Sequence, residues 1–233
     1  MAHLTGAERA HYVQGMFSRI ARRYDLMNRL MTAGQDVRWR REVIHRADIS
    51  ASGHVLDLGA GTGDLAREIQ RQHPGSLPVA ADFTLEMMRV GKGRPDSAAL
   101  DWSAADALHL PFQAGTFEAV VSGFLLRNVI DVPQALSEQY RVLRPGGRVV
   151  VLDTTRPTKN ILTPFIQFHL HVLIPILGRM IAGAGDAYTY LPDSTEAFLA
   201  AEQLADYLSQ AGFKEVGFHR LMLGTVVIHW GRK

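Results

Sequence analysis

The chain has 233 residues and a mass of 25.8 kDa, enough for one sizeable α/β core and too short for two comfortable ones. It contains no cysteine, which excludes disulfides, thiolate metal sites and cysteine nucleophiles. Its net charge of only +2 gives little long-range attraction for nucleic acid. The absence of cysteine and of an apolar leader near residue 1 leads us to expect a cytoplasmic protein.

Residues 1–47 are predicted to form an N-terminal cap that is helical from about residue 7, because apolar and aromatic side chains recur there at spacings of three and four. The predicted buried stripe consists of Phe17, Ile20, Tyr24, Met27 and Leu30. Gly34 is predicted to divide the cap into two helices. Eight arginines lie between Arg19 and Arg46, and this excess fits either an anionic membrane surface or a solvated helical face.

Strand and helix patterns alternate through the middle of the chain. HVLDLG precedes the helix DLAREIQRQ, and LPVAAD precedes TLEMMRVGK, for which Thr84 is the predicted N-cap. TFEAVVSGF, VPQALSEQYRVL and RVVVLDTT continue the alternation. This order predicts a mainly parallel sheet with helices on both faces.

The last part of the chain follows a different pattern. Residues 195–211 form a predicted amphipathic helix closed by Gly212, and two strand-like runs then predict an antiparallel hairpin that finishes the sheet. Before them, the apolar run 161–183 is interrupted by prolines, histidines, a glutamine and an arginine, so we do not expect it to span a membrane. We interpret residues 157–194 as an apolar, lid-like insertion in a single domain covering residues 1–233.

The strongest ligand signal is a glycine-rich turn between the first predicted strand and helix. Gly59, Gly61 and Gly63 are spaced G-x-G-x-G, whereas a dinucleotide fingerprint reads G-x-G-x-x-G. Glycines allow the backbone to approach a ligand closely. Asp64 opens the following helix, and a carboxylate there suits a cationic sulfonium with an amino group better than a phosphate.

Two further carboxylates extend this signal. Asp82 ends the next strand, where an acid can accept hydrogen bonds from both hydroxyls of a ribose. Asp106 follows the third strand region, where its side chain and the amide of Ala107 are placed to read an adenine edge. The alternative is that Asp57, Asp64, Asp82 and Asp106 only cap helices and turns.

Several longer motifs resemble one methyltransferase family. The turn DLGAGTGD, the strand-end Asp82 and RVLRPGGRVVVLD resemble Rossmann-like methyltransferases. More narrowly, the chain resembles the menaquinone and ubiquinone biosynthesis C-methyltransferases in the segments FSRIARRYDLMNRLMTAGQDVRW, LLRNVIDVPQAL, AYTYLPDS and GTVVIHWGRK. The resemblance implies a Rossmann-like fold with a mostly parallel seven-stranded sheet. It also implies S-adenosylmethionine as cofactor, S-adenosylhomocysteine as product, and no metal.

The resemblance also implies a set of cofactor-binding residues. They are Asp57, Gly59, Gly61, Thr62, Gly63, Asp82, Phe83, Asp106, Ala107 and Gly123. The family usually reads Ser-Phe-Gly-Leu-Arg-Asn-Val where this chain has residues 123–129, so Gly123 and Leu125 depart from its pattern.

The implied substrate is a prenylated hydroquinone that is methylated on a ring carbon. Arg127 is the predicted catalytic residue, because an always-charged guanidinium can stabilise the phenolate that activates this carbon, and Asn128 is predicted to assist. The general base stays open among His169, His171, Asp153 and Tyr190.

Other interpretations remain open at this stage. The main alternative is a methyltransferase for another small apolar or phenolic acceptor. A nucleic-acid methyltransferase or binding module is disfavoured, because the chain lacks a basic stripe interleaved with aromatic residues. Peripheral contact with a membrane and a homodimer are both compatible with the sequence.

Overall fold

The structure is a computed structural model that describes residues 6–156 and 194–233, together with Pro164, Val172 and Ile176. The predicted lid-like insertion at 157–194 therefore lies almost wholly outside the described residues, as do the candidate bases His169, His171 and Tyr190.

Helices and strands alternate as predicted, except that no helix separates the third strand from the fourth. The helices are α1 Gly6–Ile20, α2 Tyr24–Met31, α3 Asp36–Ala47, α4 Asp64–Gln72, α5 Leu85–Lys92, α6 Val132–Val142 and α7 Ala201–Gln210. The strands are β1 His54–Leu58, β2 Leu77–Asp82, β3 Asp101–Ala104, β4 Phe117–Gly123, β5 Leu143–Thr154, β6 Lys214–Leu221 and β7 Val226–Arg232.

The strands form one seven-stranded sheet in the order β3-β2-β1-β4-β5-β7-β6. The strands from β3 to β5 in this order pair in parallel, and β7 runs antiparallel to both β5 and β6. The sequence-based prediction of a mostly parallel sheet with an antiparallel C-terminal hairpin is confirmed. Its carboxyl-terminal edge, where β1, β2 and β4 end, is where open α/β sheets bind ligands.

The core lies on both faces of the sheet, because side chains alternate along each strand. On β5, Val149 and Val151 face one side and pack in the cluster that includes Leu136 of α6 and Leu204 of α7. Residues 150 and 152 face the other side and join the apolar side chains of α3 and α4. Helices therefore cover both faces, as predicted.

The N-terminal cap differs in detail from its prediction. Gly34 does end a helix, with φ of +76°, but a 3₁₀ turn at Ala21–Arg23 also separates α1 from α2. Leu30 is 41% exposed, so its predicted burial is wrong. Met27 and Met31 are buried instead, because residues four apart share one face of a helix.

Two predicted helix boundaries also need correction. Thr84 occupies the N-cap position of α5, but its side chain makes no capping bond to the helix. The predicted helix 195–211 is interrupted, since residues 194–197 are helical but α7 begins only at Ala201. Between them, the carbonyl of Leu199 accepts hydrogen bonds from Arg156 N–H and the Thr155 hydroxyl instead of helical partners. Gly212 follows this helix with φ of +103°, as its predicted role requires.

Among the described residues, no helix is long and apolar enough to cross a bilayer.

Candidate functional site

The glycine-rich turn, residues 59–63, connects β1 to α4 in a left-handed conformation. Gly59, Gly61 and Gly63 have φ of +69°, +59° and +83°, backbone angles that residues other than glycine rarely adopt. A Cβ at Gly59 would lie 2.8 Å from Leu125 Cδ1, and one at Gly63 would lie 2.7 Å from Trp102. The turn therefore requires glycine for both its backbone angles and its close packing.

Two cavities open beside this turn. The large cavity has a volume of about 940 Å³, including its opening to solvent, and the small cavity a volume of about 470 Å³. Both are lined by Tyr24, Gly59, Gly61, Gly123 and Phe124, so they are neighbouring parts of one site at the carboxyl ends of the strands.

Asp82 joins the glycine turn to the wall of the large cavity. Its carboxylate accepts the N–H of Gly61 at 2.7 Å and the N–H of Thr84 at 2.6 Å. Burial raises the pKa of Asp82 above its usual value, and these backbone donors partly oppose the shift. A carboxylate fixed in this way keeps further lone pairs with which to accept the hydroxyls of a ribose.

Asp57, at the end of β1, lines the small cavity and is 1% exposed. One oxygen accepts the N–H of Ala66 at 2.9 Å, whereas the other has no hydrogen-bond partner in the described structure. Burial raises the pKa of Asp57 to about 7. A buried carboxylate oxygen without a donor fits an ammonium group in the small cavity, as the amino-acid end of S-adenosylmethionine would supply.

Asp64 also lines the small cavity, but it is not a free counter-ion for a cationic ligand as the sequence suggested. Arg40 binds its carboxylate at 2.6 Å, and Arg67 forms a second ion pair with it. Its charge is therefore compensated within the protein, and Asp57 is the better candidate to face a cation.

The remaining predicted cofactor residues divide between the two cavities. Thr62 lines the small one, but its hydroxyl donates to Asp25 Oδ1 at 2.7 Å. Phe83, Asp106 and Ala107 line the large cavity, where Asp106 accepts the N–H of Leu108 at 2.9 Å. Gly123 borders both cavities, and Gly63 lies outside their walls, where it shapes the turn.

The two predicted catalytic residues have different positions. Asn128 lines the large cavity and donates to the carbonyl of Phe124 at 2.9 Å. The side chain of Arg127 is buried and lines neither cavity. Its Nε lies 3.9 Å from Asp153 Oδ1, and its guanidinium lies 5.1 Å from the centre of the Phe124 ring, which does line both cavities.

Asp153, one of the candidate bases, is fully buried and outside both cavity walls. It accepts backbone N–H groups from Arg127 and Thr154, and burial raises its pKa. In the described part of the chain its position makes it a partner of Arg127, and the structure does not bring it to either cavity.

The start of α2 is a part of the site that the sequence reasoning did not assign. Tyr24, Asp25 and Asn28 all line the small cavity, and burial raises the pKa of the Tyr24 phenol. They lie in a segment that resembles the methyltransferase family. Helical periodicity, however, predicts only which face of a helix such residues occupy, not that they line a ligand site. Leu125, a departure from the family pattern, packs over Gly59 and lines the large cavity.

The sheet defines a Rossmann-like protein, and the glycine turn and the two strand-end carboxylates lie beside cavities at its ligand-binding edge. The chain belongs to the ubiE/COQ5 methyltransferase family, whose model matches residues 5–233. It is therefore an S-adenosylmethionine-dependent methyltransferase.

Individual relatives agree with this membership, and a solved structure shares the fold. The chain is 52% identical, over 95% of its length and 90% of the other, to a ubiquinone/menaquinone biosynthesis C-methyltransferase from Desulfotalea psychrophila. It is 43% identical to a demethylmenaquinone methyltransferase from Thermus thermophilus, over 93% and 99%. A SAM-dependent methyltransferase from Thermotoga maritima shares the fold at 18% identity, with a TM-score of 0.65 and coverage of 94% and 98%.

Proposed function

We propose that this enzyme transfers a methyl group from S-adenosylmethionine to a ring carbon of a reduced prenylated quinone, with demethylmenaquinol as the preferred acceptor. The relatives' names support the acceptor class, since one is named for both ubiquinone and menaquinone biosynthesis and the other for demethylmenaquinone. The observation that carries the proposal is the juxtaposition of the polar small cavity with a large cavity whose wall is mostly apolar. Its apolar lining includes Val13, Phe17, Phe83, Met87, Leu108 and Leu125.

The bound cofactor supplies an electrophilic methyl group on a sulfonium. Asp82 would accept hydrogen bonds from the ribose, and Asp57 would accept one from the ammonium group in the small cavity, with the glycine turn against the nucleoside. Holding two reactants in line in this manner contributes up to ~7–11 kcal/mol in favourable cases. The apolar wall of the large cavity excludes water from the ring of the acceptor.

A ring carbon becomes a good nucleophile when the neighbouring hydroxyl loses its proton. Asn128 is the member of the predicted catalytic pair that lines the cavity, and we assign it the task of orienting the acceptor oxygen. Arg127 contributes a fixed positive charge close behind Phe124, which favours the phenolate through space. Asp153 neutralises part of this charge and holds the backbone at Arg127.

The test is a methyl-transfer assay with labelled S-adenosylmethionine and a panel of reduced acceptors. We expect label in the ring of menaquinol when demethylmenaquinol is supplied, and a lower rate with the benzoquinol of the ubiquinone pathway. Arg127→Ala should lose most turnover and keep cofactor binding. Label in a small phenolic acceptor but in neither quinol would favour the alternative acceptor class.

An exposed surface near the site suggests where the enzyme contacts the membrane that carries its prenylated acceptor. Leu26 and Leu30 lie four residues apart on α2, are 53% and 41% exposed, and share their surroundings with the exposed Arg22 and Arg29. We assign this surface, the leucine face of α2, to peripheral contact with an anionic bilayer. Tyr24, the first residue of α2, lines the large cavity. Contact of the leucine face with a membrane would therefore bring the bilayer near the site.

A further inference from the structure

The first turn of α2 is hydrogen-bonded to the glycine turn across the small cavity. Thr62, at the centre of the glycine turn, is 1% exposed, and its hydroxyl donates to Asp25 Oδ1 at 2.7 Å. The neighbours of Asp25 on α2, Tyr24 and Asn28, line the same cavity. A helix remote in sequence therefore lines the small cavity and is hydrogen-bonded to the glycine turn that lines it as well.

Two hydrogen bonds fix the position of Thr62, one at its backbone carbonyl and one at its side-chain hydroxyl. Its carbonyl accepts from Arg67 Nη1 at 2.5 Å, while its hydroxyl is held by Asp25. Asp25 is itself fixed, because its second carboxylate oxygen pairs with Arg94, which follows α5. Side chains from three separate segments thus determine the position of one residue between two glycines.

The glycines on either side of Thr62 do not hold this conformation by themselves. Gly61 and Gly63 have little conformational preference, so an unrestrained turn would sample many backbone states and lose entropy on binding. Gly61 must keep its N–H on Asp82, at 2.7 Å, for the carboxylate to face the nucleoside. A restraint at Thr62 is well placed to maintain that contact.

We propose that Asp25 is a positioning residue for the cofactor, which holds Thr62 and thereby keeps the glycine turn in its ligand-receiving conformation. Asp25 need not touch the cofactor in this role, and its effect is transmitted through the Thr62 hydroxyl. The inference rests on S-adenosylmethionine as cofactor and is independent of which acceptor is methylated. It also makes cofactor affinity depend on the docking of α2.

The test is calorimetric titration with S-adenosylhomocysteine, which lacks the sulfonium charge and so limits direct electrostatic effects of removing a carboxylate. Asp25→Ala and Thr62→Val each remove the hydrogen bond, and we expect each to weaken binding about tenfold, as loss of a hydrogen bond to a charged group implies. The double variant should bind about as weakly as either single variant, because both changes remove one interaction.

Conservative variants separate positioning from a general structural or charge effect. Thr62→Ser keeps a hydroxyl and should bind within about threefold of the unaltered enzyme. Asp25→Asn keeps an acceptor oxygen for Thr62 but loses the ion pair with Arg94, so its affinity should lie between those of the unaltered enzyme and Asp25→Ala. Glu42→Gln is the matched control, because it breaks the 2.7 Å pair with Arg46 on α3, away from the turn. This control should leave the affinity unchanged.

Three outcomes would overturn the proposal. They are unaltered affinity in Thr62→Val, equal weakening by Asp25→Asn and Asp25→Ala, or additive losses in the double variant. Should Asp25→Ala fail to fold, the comparison of Thr62→Val with Thr62→Ser decides. Failure of the quinol assay with intact binding of S-adenosylhomocysteine would remove the proposed acceptor and leave this inference standing.

Discussion

At the scale of single residues, Asp57 and Asp82 occupy equivalent strand ends and have different partners. Asp82 is held by two backbone donors, whereas Asp57 keeps one buried oxygen without a donor. The first is suited to neutral hydroxyls and the second to a cation. Their positions in the sequence predicted that both carboxylates would lie at the carboxyl-terminal edge of the sheet. Only their hydrogen-bond partners in the folded protein distinguish which ligand group each one suits.

Asp82→Asn should weaken S-adenosylhomocysteine binding by about tenfold or more, because an amide presents its N–H₂ group to Gly61 or Thr84 and lacks the charge. Asp106→Asn is the comparison, since the side chain of Asp106 is 48% exposed and a loss there should be smaller. Calorimetry of both variants measures the two losses of affinity. Equal losses would show that Asp82 contributes no more to binding of the ribose than an exposed carboxylate does.

Asp57 predicts how stability depends on pH. Its pKa is raised from 3.8 to about 7 in the folded protein, so the folded state binds the proton more tightly than the unfolded state. The resulting stability is fully present below about pH 4 and is lost as pH rises through about 7. Asp57→Asn removes this dependence, so we expect its melting temperature, relative to the unaltered protein, to rise between those limits. A constant difference across them would contradict the assignment.

At the scale of elements, α2 has two faces with different surroundings. Tyr24 and Asp25 line the small cavity, and Leu26 and Leu30 are exposed. Periodicity predicted helix in this region, but it did not predict the 3₁₀ turn at Ala21–Arg23, where Ala21 is buried by tertiary packing. The inner face of α2 is formed by Met27 and Met31, four residues apart, and Leu30 lies outside that face, so its predicted burial failed.

The leucine face of α2 can be tested with vesicles. The double change Leu26→Gln and Leu30→Gln should weaken the affinity for phosphatidylglycerol vesicles, measured by sedimentation, about tenfold. This is the loss expected when two leucines that partly insert into the bilayer are removed. Leu77→Gln is the control, because Leu77 is 50% exposed at the opposite end of β2. Equal binding by all three proteins, or no preference for anionic over zwitterionic vesicles, would exclude this surface as the contact.

At the scale of the whole molecule, the sheet and its ligand edge were predictable because they depend on local signals. The alternation of strands and helices and the spacing of Gly59, Gly61 and Gly63 are visible in the sequence, and all are confirmed. The hydrogen bond from Thr62 to Asp25 joins residues 37 positions apart, and the burial of Arg127 against Asp153 joins residues 26 apart. Such contacts arise from packing between elements, so residue patterns alone could not supply them.

The central claim is that the cavities beside the glycine turn bind the S-adenosyl nucleoside. Calorimetric titration of the unaltered protein at neutral pH tests it most directly, with S-adenosylhomocysteine compared against NAD and a nucleoside triphosphate. We predict one S-adenosylhomocysteine bound per chain and no measurable heat from the other two. Tight binding of NAD or the triphosphate, with none of S-adenosylhomocysteine, would contradict the account.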